Sequence, residues 1–257
     1  AASRPAPAAP PRPAARPAAA EAEDEVERVP LSHLRRVIAE AMHRSKHTHA
    51  HVTHVEEADV TELVALWRAA RAEVEARHGV KLTLLPFFVR ALTVALAKHR
   101  KFNATFDEER QELAIHRACH MGIAVDTPDG LIVPVVRNAQ AKSLVELARE
   151  IADLAGRARE RRLELSELRG GTFTVTNIGP LGGVLATPII NGDQVAIVGL
   201  HTIAERPAVV DGEIAIRRMM YLSVSFDHRL IDGAEAARFM ADVRRLVERP
   251  GLLMAEL

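Results

Sequence analysis

Between Leu31 and Met42, the apolar residues Leu34, Ile38 and Met42 recur every four positions among Arg and Glu, which predicts a helix docking by one face. Asp59 stands three residues before Glu62, a capping-box-like spacing ahead of Leu63, Leu66 and Trp67, and predicts a helix that stops near Gly79. Leu82 to Ala97 is apolar on most sides and is expected as a buried helix. From Arg117 the pattern becomes strand-like: Gly122–Val125 and Leu131–Val133 flank Asp126–Thr127–Pro128–Asp129–Gly130, a hairpin signal. Ser143 and Glu146 have capping-box spacing and open a helix carrying Leu144, Leu147, Ile151 and Leu154, expected to end near Gly170–Gly171. Short β-type runs follow at Phe173–Val175, Val195–Val198 and Tyr221–Ser225, then a last helix from Ala234 to about Glu248. The class is α/β in the broad sense, a mixed α+β two-layer arrangement, with no fixed-period repeat.

Composition divides the chain of 257 residues in two. Residues 1–20 hold ten Ala and six of the fourteen Pro, and the first of fourteen Gly is Gly79. With the acidic run Glu21, Glu23, Asp24, Glu25 and Glu27 behind it, residues 1–28 read as a semi-rigid, solvated linker, and residues 29–257 as one domain with a core. A chain that starts at Ala is expected to be a fragment or a processed chain. Lys plus Arg and Asp plus Glu both total 34, so no basic excess argues for nucleic acid or an anionic membrane. The charge-free stretch from Gly170 to Asn191 is too rich in Gly, Thr and Asn to span a bilayer. One cysteine, Cys119, makes no internal disulfide; a reducing compartment, the cytoplasm of a bacterium, is the expected location.

Candidate chemistry concentrates in Ser225–Phe226–Asp227–His228–Arg229–Leu230–Ile231–Asp232–Gly233, between a strand and a helix. Asp227–His228–Arg229 followed by Asp232–Gly233 resembles the active-site signature of the dihydrolipoyl acyltransferases, core components of 2-oxo acid dehydrogenase complexes with a chloramphenicol acetyltransferase-like fold. The resemblance extends over residues 29–257, through Leu34–Ala39, Leu85–Pro86–Phe87, Gly122 to Val136, Lys142–Ser143–Leu144 and Gly170 to Gly179.

The resemblance implies acyl transfer between a lipoyl arm, carried by an upstream domain outside this chain, and coenzyme A. His228 would be the general base that takes a thiol proton, since a neutral imidazole titrates near operating pH. Thr176 stands at the position of the hydroxyl that donates to the tetrahedral oxyanion. Asp232 would support the His loop, with Arg35 or Arg229 as its partner, and Asp227 would order the turn. The family builds its site between neighbouring chains of a homotrimer, and trimers assemble into a cubic or icosahedral core through C-terminal apolar contacts, here Leu252–Leu253–Met254 and Leu257. The implied partners are the lipoyl domain, the 2-oxo acid decarboxylase and dihydrolipoyl dehydrogenase. Acetyl and branched-chain groups are the favoured acyl groups over succinyl.

Rival readings are a noncatalytic scaffold subunit and a trimeric chloramphenicol-type acetyltransferase. A further rival is metal ligation by His43, His47, His49, His51 and His54. The resemblance makes one His at position 51 ordinary and leaves the others as exposed surface residues, so no metal is expected. Arg100 stands where the family commonly has Pro, and Ala50 replaces another; neither touches the proposed chemistry. Cys119 reads as a small core residue.

Overall fold

The computed structural model describes residues 26–255. The linker expected over 1–28 therefore lies outside the described residues up to position 25. The chain divides after Leu31: residues 26–31 carry no helix or strand, and everything from Ser32 forms the second unit.

That unit runs α1 (His33–Thr48), β1 (His51–Asp59), α2 (Thr61–His78), α3 (Leu85–Lys98), β2 (Ala104–Asp107), β3 (Glu112–Ile115), β4 (Met121–Ile123), β5 (Val125–Thr127), β6 (Gly130–Ile132), β7 (Val135–Val136), α4 (Leu144–Arg159), β8 (Phe173–Asn177), β9 (Ala196–Leu200), β10 (Ala204–Val210), β11 (Glu213–Asp227), α5 (Gly233–Glu248) and α6 (Pro250–Ala255). The main sheet has the order β1-β11-β9-β8-β4-β7, with β10 paired to β11. It is mixed: β9 is parallel to β8 and antiparallel to β11, and β11 is antiparallel to β1.

Strand alternation gives the sheet two unlike faces. Met220, Leu222, Val224 and Phe226 of β11 and Phe173 and Val175 of β8 sit in the core, where Phe173 meets Phe239 of α5 at 6.1 Å between ring centroids. The residues between them are Ser223, Ser225, Asp227, Thr174 and Thr176, all polar, on the face away from that core. Such a face is stable only if its hydroxyls and carboxylate find partners. The segment joining β8 to β9 supplies two of them: Ser223 Oγ donates to Ala186 O (3.1 Å), and Asn191 and Gln194 bond to Thr174 Oγ1; Ser225 Oγ pairs instead with Thr53 Oγ1 of β1 (2.8 Å).

Local expectations were met where the signal was self-contained. Ser143 and Glu146 form a reciprocal capping box at α4, and the first helix forms, from His33 and on to Thr48, with a cap the spacing had not indicated: Ser32 Oγ accepts from Arg35 N. Asp59 differs: it ends β1, pairing with Met219, so Val60 is the N-cap of α2. Its carboxylate still accepts from Thr61 N and Oγ1 and from Arg217. Helix α4 stops at Arg159 rather than near Gly170, because Arg161 adopts a left-handed backbone (φ 58°). The hairpin forms between β5 and β6, but Met121–Ile123 instead enters the main sheet beside β8. Cys119 is buried and burial pushes its thiol up to about 12, consistent with a core residue.

Gly199 is the tightest point of the polar face. A Cβ there would lie 2.6 Å from Ser223 Oγ and 3.2 Å from His201 Nε2. The hydroxyl cannot swing aside without breaking its bonds to His201 and Ala186. Gly199→Ala is expected to destabilise the fold by about 1–3 kcal/mol, read as a lower denaturant midpoint at unchanged slope. An unchanged midpoint would show that the face is more yielding than this packing implies.

Candidate active site

The turn after β11 is built around one carboxylate. Asp227 is fully buried, and its Oδ1 accepts from Arg229 N (3.0 Å), Arg229 Nε (3.0 Å) and Ala50 N (3.3 Å). Its Oδ2 accepts from Arg229 Nε (3.0 Å) and Nη2 (2.7 Å). Its carbonyl accepts from Leu230 N and Ile231 N, which closes the turn. Burial pushes the Asp227 carboxyl up, but hydrogen bonds and charge from Arg229, with the Ala50 N–H, hold it below the ordinary carboxylate value. Arg229 is in turn fixed by Glu108 (2.7 Å) and lies over Phe106, 5.2 Å from the ring centroid.

His228 stands on this clamp. Its N–H donates to Ala50 O (2.9 Å), so the backbone is fixed while the side chain is exposed, 5.8 Å from the Phe226 ring. Asp232, four residues on, is the N-cap of α5, and its N–H donates to Glu235 Oε2 (3.1 Å). Of the ion-pair partners expected for it, Arg229 is engaged with Asp227 and Glu108, and Arg35 lies beside Gly130, its Nη2 3.1 Å from where a Cβ there would stand. Among the described residues no salt bridge engages Asp232, so within one chain its place is the start of α5.

Thr176 is half-buried on β8, on the polar face. Its register partner on β9 is Gly199, whose partner on β11 is Ser223. The His201 imidazole folds back over Gly199, with Nε2 2.9 Å from Ser223 Oγ. Since the Ser223 hydroxyl proton goes to Ala186 O, Nε2 is the donor, and Nδ1 is a buried acceptor with no hydrogen-bond partner among the described residues. Burial lowers the His201 pKa, which keeps the ring neutral at neutral pH. Ile190, in the same connecting segment, is held at both polar atoms: Ser45 Oγ donates to its carbonyl (2.6 Å), and its N–H donates to His51 Nε2 (3.1 Å). Ser45, His201 and Ser223 were missed in the sequence; Gly199 inside an apolar run was the one local hint.

Thr176 and His228 do not meet within one chain. Thr176 is level with Ser223, two strands over, and His228 lies five residues further along β11's path. Strand spacing of about 4.8 Å and rise of about 3.3 Å per residue put their backbones roughly 19 Å apart, beyond any direct hydrogen bond.

This fold is shared with a chloramphenicol acetyltransferase (TM-score 0.53, 13% identity, 81% of this chain and 94% of that one). The profile of the 2-oxoacid dehydrogenases acyltransferase catalytic domain matches residues 23–255, and the chain belongs to that family. It is 49% identical over 233 residues to the lipoamide acyltransferase component of the branched-chain alpha-keto acid dehydrogenase complex of Pseudomonas putida, covering 90% of this chain and 54% of that protein. It is 46% identical over 244 residues to the dihydrolipoyllysine-residue acetyltransferase component of the pyruvate dehydrogenase complex of Bacillus subtilis, covering 95% and 55%. The chain thus spans about half the length of the curated relatives it matches. Among solved structures, Azotobacter vinelandii dihydrolipoamide acetyltransferase superposes with a TM-score of 0.87 at 40% identity, over 97% of this chain and 100% of that one. Its catalytic mechanism was investigated through a serine, a histidine and an asparagine, the serine fifty-two residues before the histidine and the asparagine four after it. A cubic core of the pyruvate dehydrogenase multienzyme complex matches equally well (TM-score 0.87, 39% identity, 97% and 100%).

The depressed Asp227 pKa sets a sign. Its contribution is full above the unfolded value of about 3.9 and is lost as pH falls through the lower folded value. Asp227→Asn is expected to lower stability at pH 7 by roughly 2 kcal/mol, a figure reduced because Arg229 is partly exposed. Melting curves of both proteins against pH should show a constant gap above about pH 4 that narrows below it. A gap that persists to about pH 2 would mean that the carboxylate charge is not what holds the turn.

Proposed function

We propose that this chain transfers an acyl group between S-acyl-dihydrolipoyl and coenzyme A, with a site assembled from two neighbouring copies. His228 of one copy takes the thiol proton of the incoming substrate. The sulfur attacks the thioester carbonyl, and Thr176 of the adjoining copy donates its hydroxyl hydrogen bond to the oxyanion. Collapse expels the other sulfur, which takes the proton from the imidazolium, so both directions use the same groups. Asp232 serves the His loop by fixing the start of α5.

The observation that carries this reading is the separation inside one chain: an exposed imidazole on a rigid turn after β11, and a hydroxyl on the polar face of β8, with backbones roughly 19 Å apart. Neither completes the chemistry alone. Thr176, His228 and Asp232 also repeat the spacing of the three residues investigated in the Azotobacter vinelandii enzyme, with Thr for Ser, which keeps the hydroxyl, and Asp for Asn. A scaffold subunit without activity has no need of that set, and His228, Thr176 and Asp232 together favour the enzyme.

The proposed assembly is a homotrimer that builds a larger cubic or icosahedral core. Leu253 of α6 packs into its own core, whereas Leu252 and Met254 are exposed and Met254 borders an apolar cavity of about 610 Å³ with Val74, Leu82 and Phe87. These are the surfaces such contacts would use. Residues 1–28 would be the linker to an upstream lipoyl domain, with the decarboxylase and dihydrolipoyl dehydrogenase as partners. No described helix is long and apolar enough to cross a membrane, and a bacterial cytoplasm is the proposed location.

His228→Ala is expected to lower the rate of acyl transfer between acetyl-coenzyme A and free dihydrolipoamide by about two to four powers of ten, with particle size unchanged. Thr176→Val should cost roughly a hundredfold or more and Thr176→Ser little. Trimers assembled from an equal mixture of the His228→Ala and Thr176→Val chains should recover about a quarter of wild-type activity, since one in four paired sites draws both intact groups. Recovery no greater than the separate variants would reject a site shared between copies, and near-normal His228→Ala would reject the base.

The acyl pocket is proposed to take acetyl or branched-chain groups, as in the two relatives. Turnover of acetyl-, isobutyryl- and succinyl-coenzyme A should rank succinyl last; succinyl as the best donor would overturn that choice.

A further inference from the structure

Five histidines crowd the passage from α1 into β1, and the structure separates them into two groups. Three are engaged in holding the fold. His49 Nδ1 lies 3.0 Å from Ser45 O and 3.4 Å from Ser45 Oγ. His51 accepts from Ile190 N at Nε2, with Nδ1 3.2 Å from His49 O. His54 Nε2 meets Glu56 Oε1 at 3.1 Å. The remaining two, His43 and His47, are exposed and one helical turn apart on α1, with ring centroids 4.0 Å from each other.

The ring orientation of His47 is set by its neighbour. A carbonyl only accepts, so Nδ1, 2.8 Å from His43 O, carries the proton and donates, which leaves the Nε2 lone pair directed away from the backbone. A backbone carbonyl on the remote ring nitrogen is the usual way a ligating imidazole is oriented and made a better ligand. Residues at i and i+4 face the same way on a helix. Metal–nitrogen bonds of about 2.0–2.1 Å place two ligating nitrogens on the order of 3 Å apart, a spacing compatible with rings whose centroids already lie 4.0 Å apart.

We propose that His43 and His47 chelate one borderline divalent transition-metal ion, of the zinc, nickel or copper(II) class, through their Nε2 atoms. Water completes the coordination, because among the described residues no group of three or more His, Cys, Asp and Glu comes together as a closed cage. The chelate bridges successive turns in the second half of α1, the half that supplies Ser45 to Ile190. Bound metal therefore stiffens the helix that anchors the β8–β9 connection. The site takes imidazole-seeking ions and not magnesium or calcium, which prefer oxygen ligands.

The test is calorimetric titration of chelator-treated, assembled protein with zinc chloride and with nickel chloride, and with magnesium chloride as the contrast. One equivalent per chain is expected for zinc and nickel and none for magnesium. His43→Asn and His47→Asn should each weaken binding at least tenfold, while His33→Asn, exposed at the start of the same helix, leaves it unchanged. Melting temperature supplies a second reading: zinc should raise it in the wild type and not in the two variants, whose metal-free melting matches wild type. Binding that survives in both variants, moves with His33→Asn, or is absent up to about 1 mM metal overturns the proposal.

Discussion

A single buried carboxylate organises the functional end of this molecule. Asp227 takes backbone hydrogen bonds from Ala50 and Arg229 while its charge is matched by the Arg229 guanidinium. An uncompensated charge at a fully buried position is strongly unfavourable, so the carboxylate and the guanidinium must be present together. That coupling reaches outward in three directions: to the start of β1 through Ala50, to the β2–β3 hairpin through Glu108, and to α5 through the turn that the Asp227 carbonyl closes. His228 sits at the centre of these constraints with its backbone fixed and its ring in solvent. On the proposed reading, such a rigid support lets the ring meet a thiol in one reproducible position.

The second organising feature is the unequal character of the two sheet faces. One face is filled by apolar residues against the helices, and the other carries Thr174, Thr176, Ser223, Ser225 and Asp227. Hydroxyls in a buried row are tolerable only when paired; the β8–β9 connection offers the Ala186 carbonyl and two amide side chains, and Thr53 of β1 pairs with Ser225. The same connection is pinned by Ser45 and His51, so α1 and β1 secure the cover over the row that contains Thr176. His201 occupies the gap that Gly199 leaves in that row, which explains why glycine stands in the middle of an otherwise apolar strand.

Legibility in the sequence followed contact range. The mixed α+β class, the capping box at Ser143 and the last helix rest on residues within a few positions of each other, and they were readable directly. The Asp227–His228–Arg229 turn was readable because the resemblance is carried by adjacent residues. Asp59 was assigned a cap because its local spacing says so, but pairing with Met219 draws it into β1 and tertiary geometry prevails. Ser45 and His51 were unreadable as the keepers of Ile190, since those bonds join residues 145 and 139 positions apart. Of the two arginines expected to partner Asp232, the fold commits Arg229 to Asp227 and Glu108, a choice decided by packing rather than spacing.

The roughly 19 Å between Thr176 and His228 has a further consequence for how activity and assembly depend on each other. If each group serves a site completed by another copy, no movement within one chain substitutes for association, because Thr176 sits on the hydrogen-bonded sheet and His228 on the turn clamped to its β11 and β1 ends. Activity then follows the population of correctly packed neighbours, and a substitution at the contact between copies alters turnover without touching a reacting atom. Thr174, Ser223, Ser225 and Asp227 are closed off by partners within the chain, whereas Thr176 stays half-buried, so on the proposed reading it is the hydroxyl of this row left within reach of a substrate.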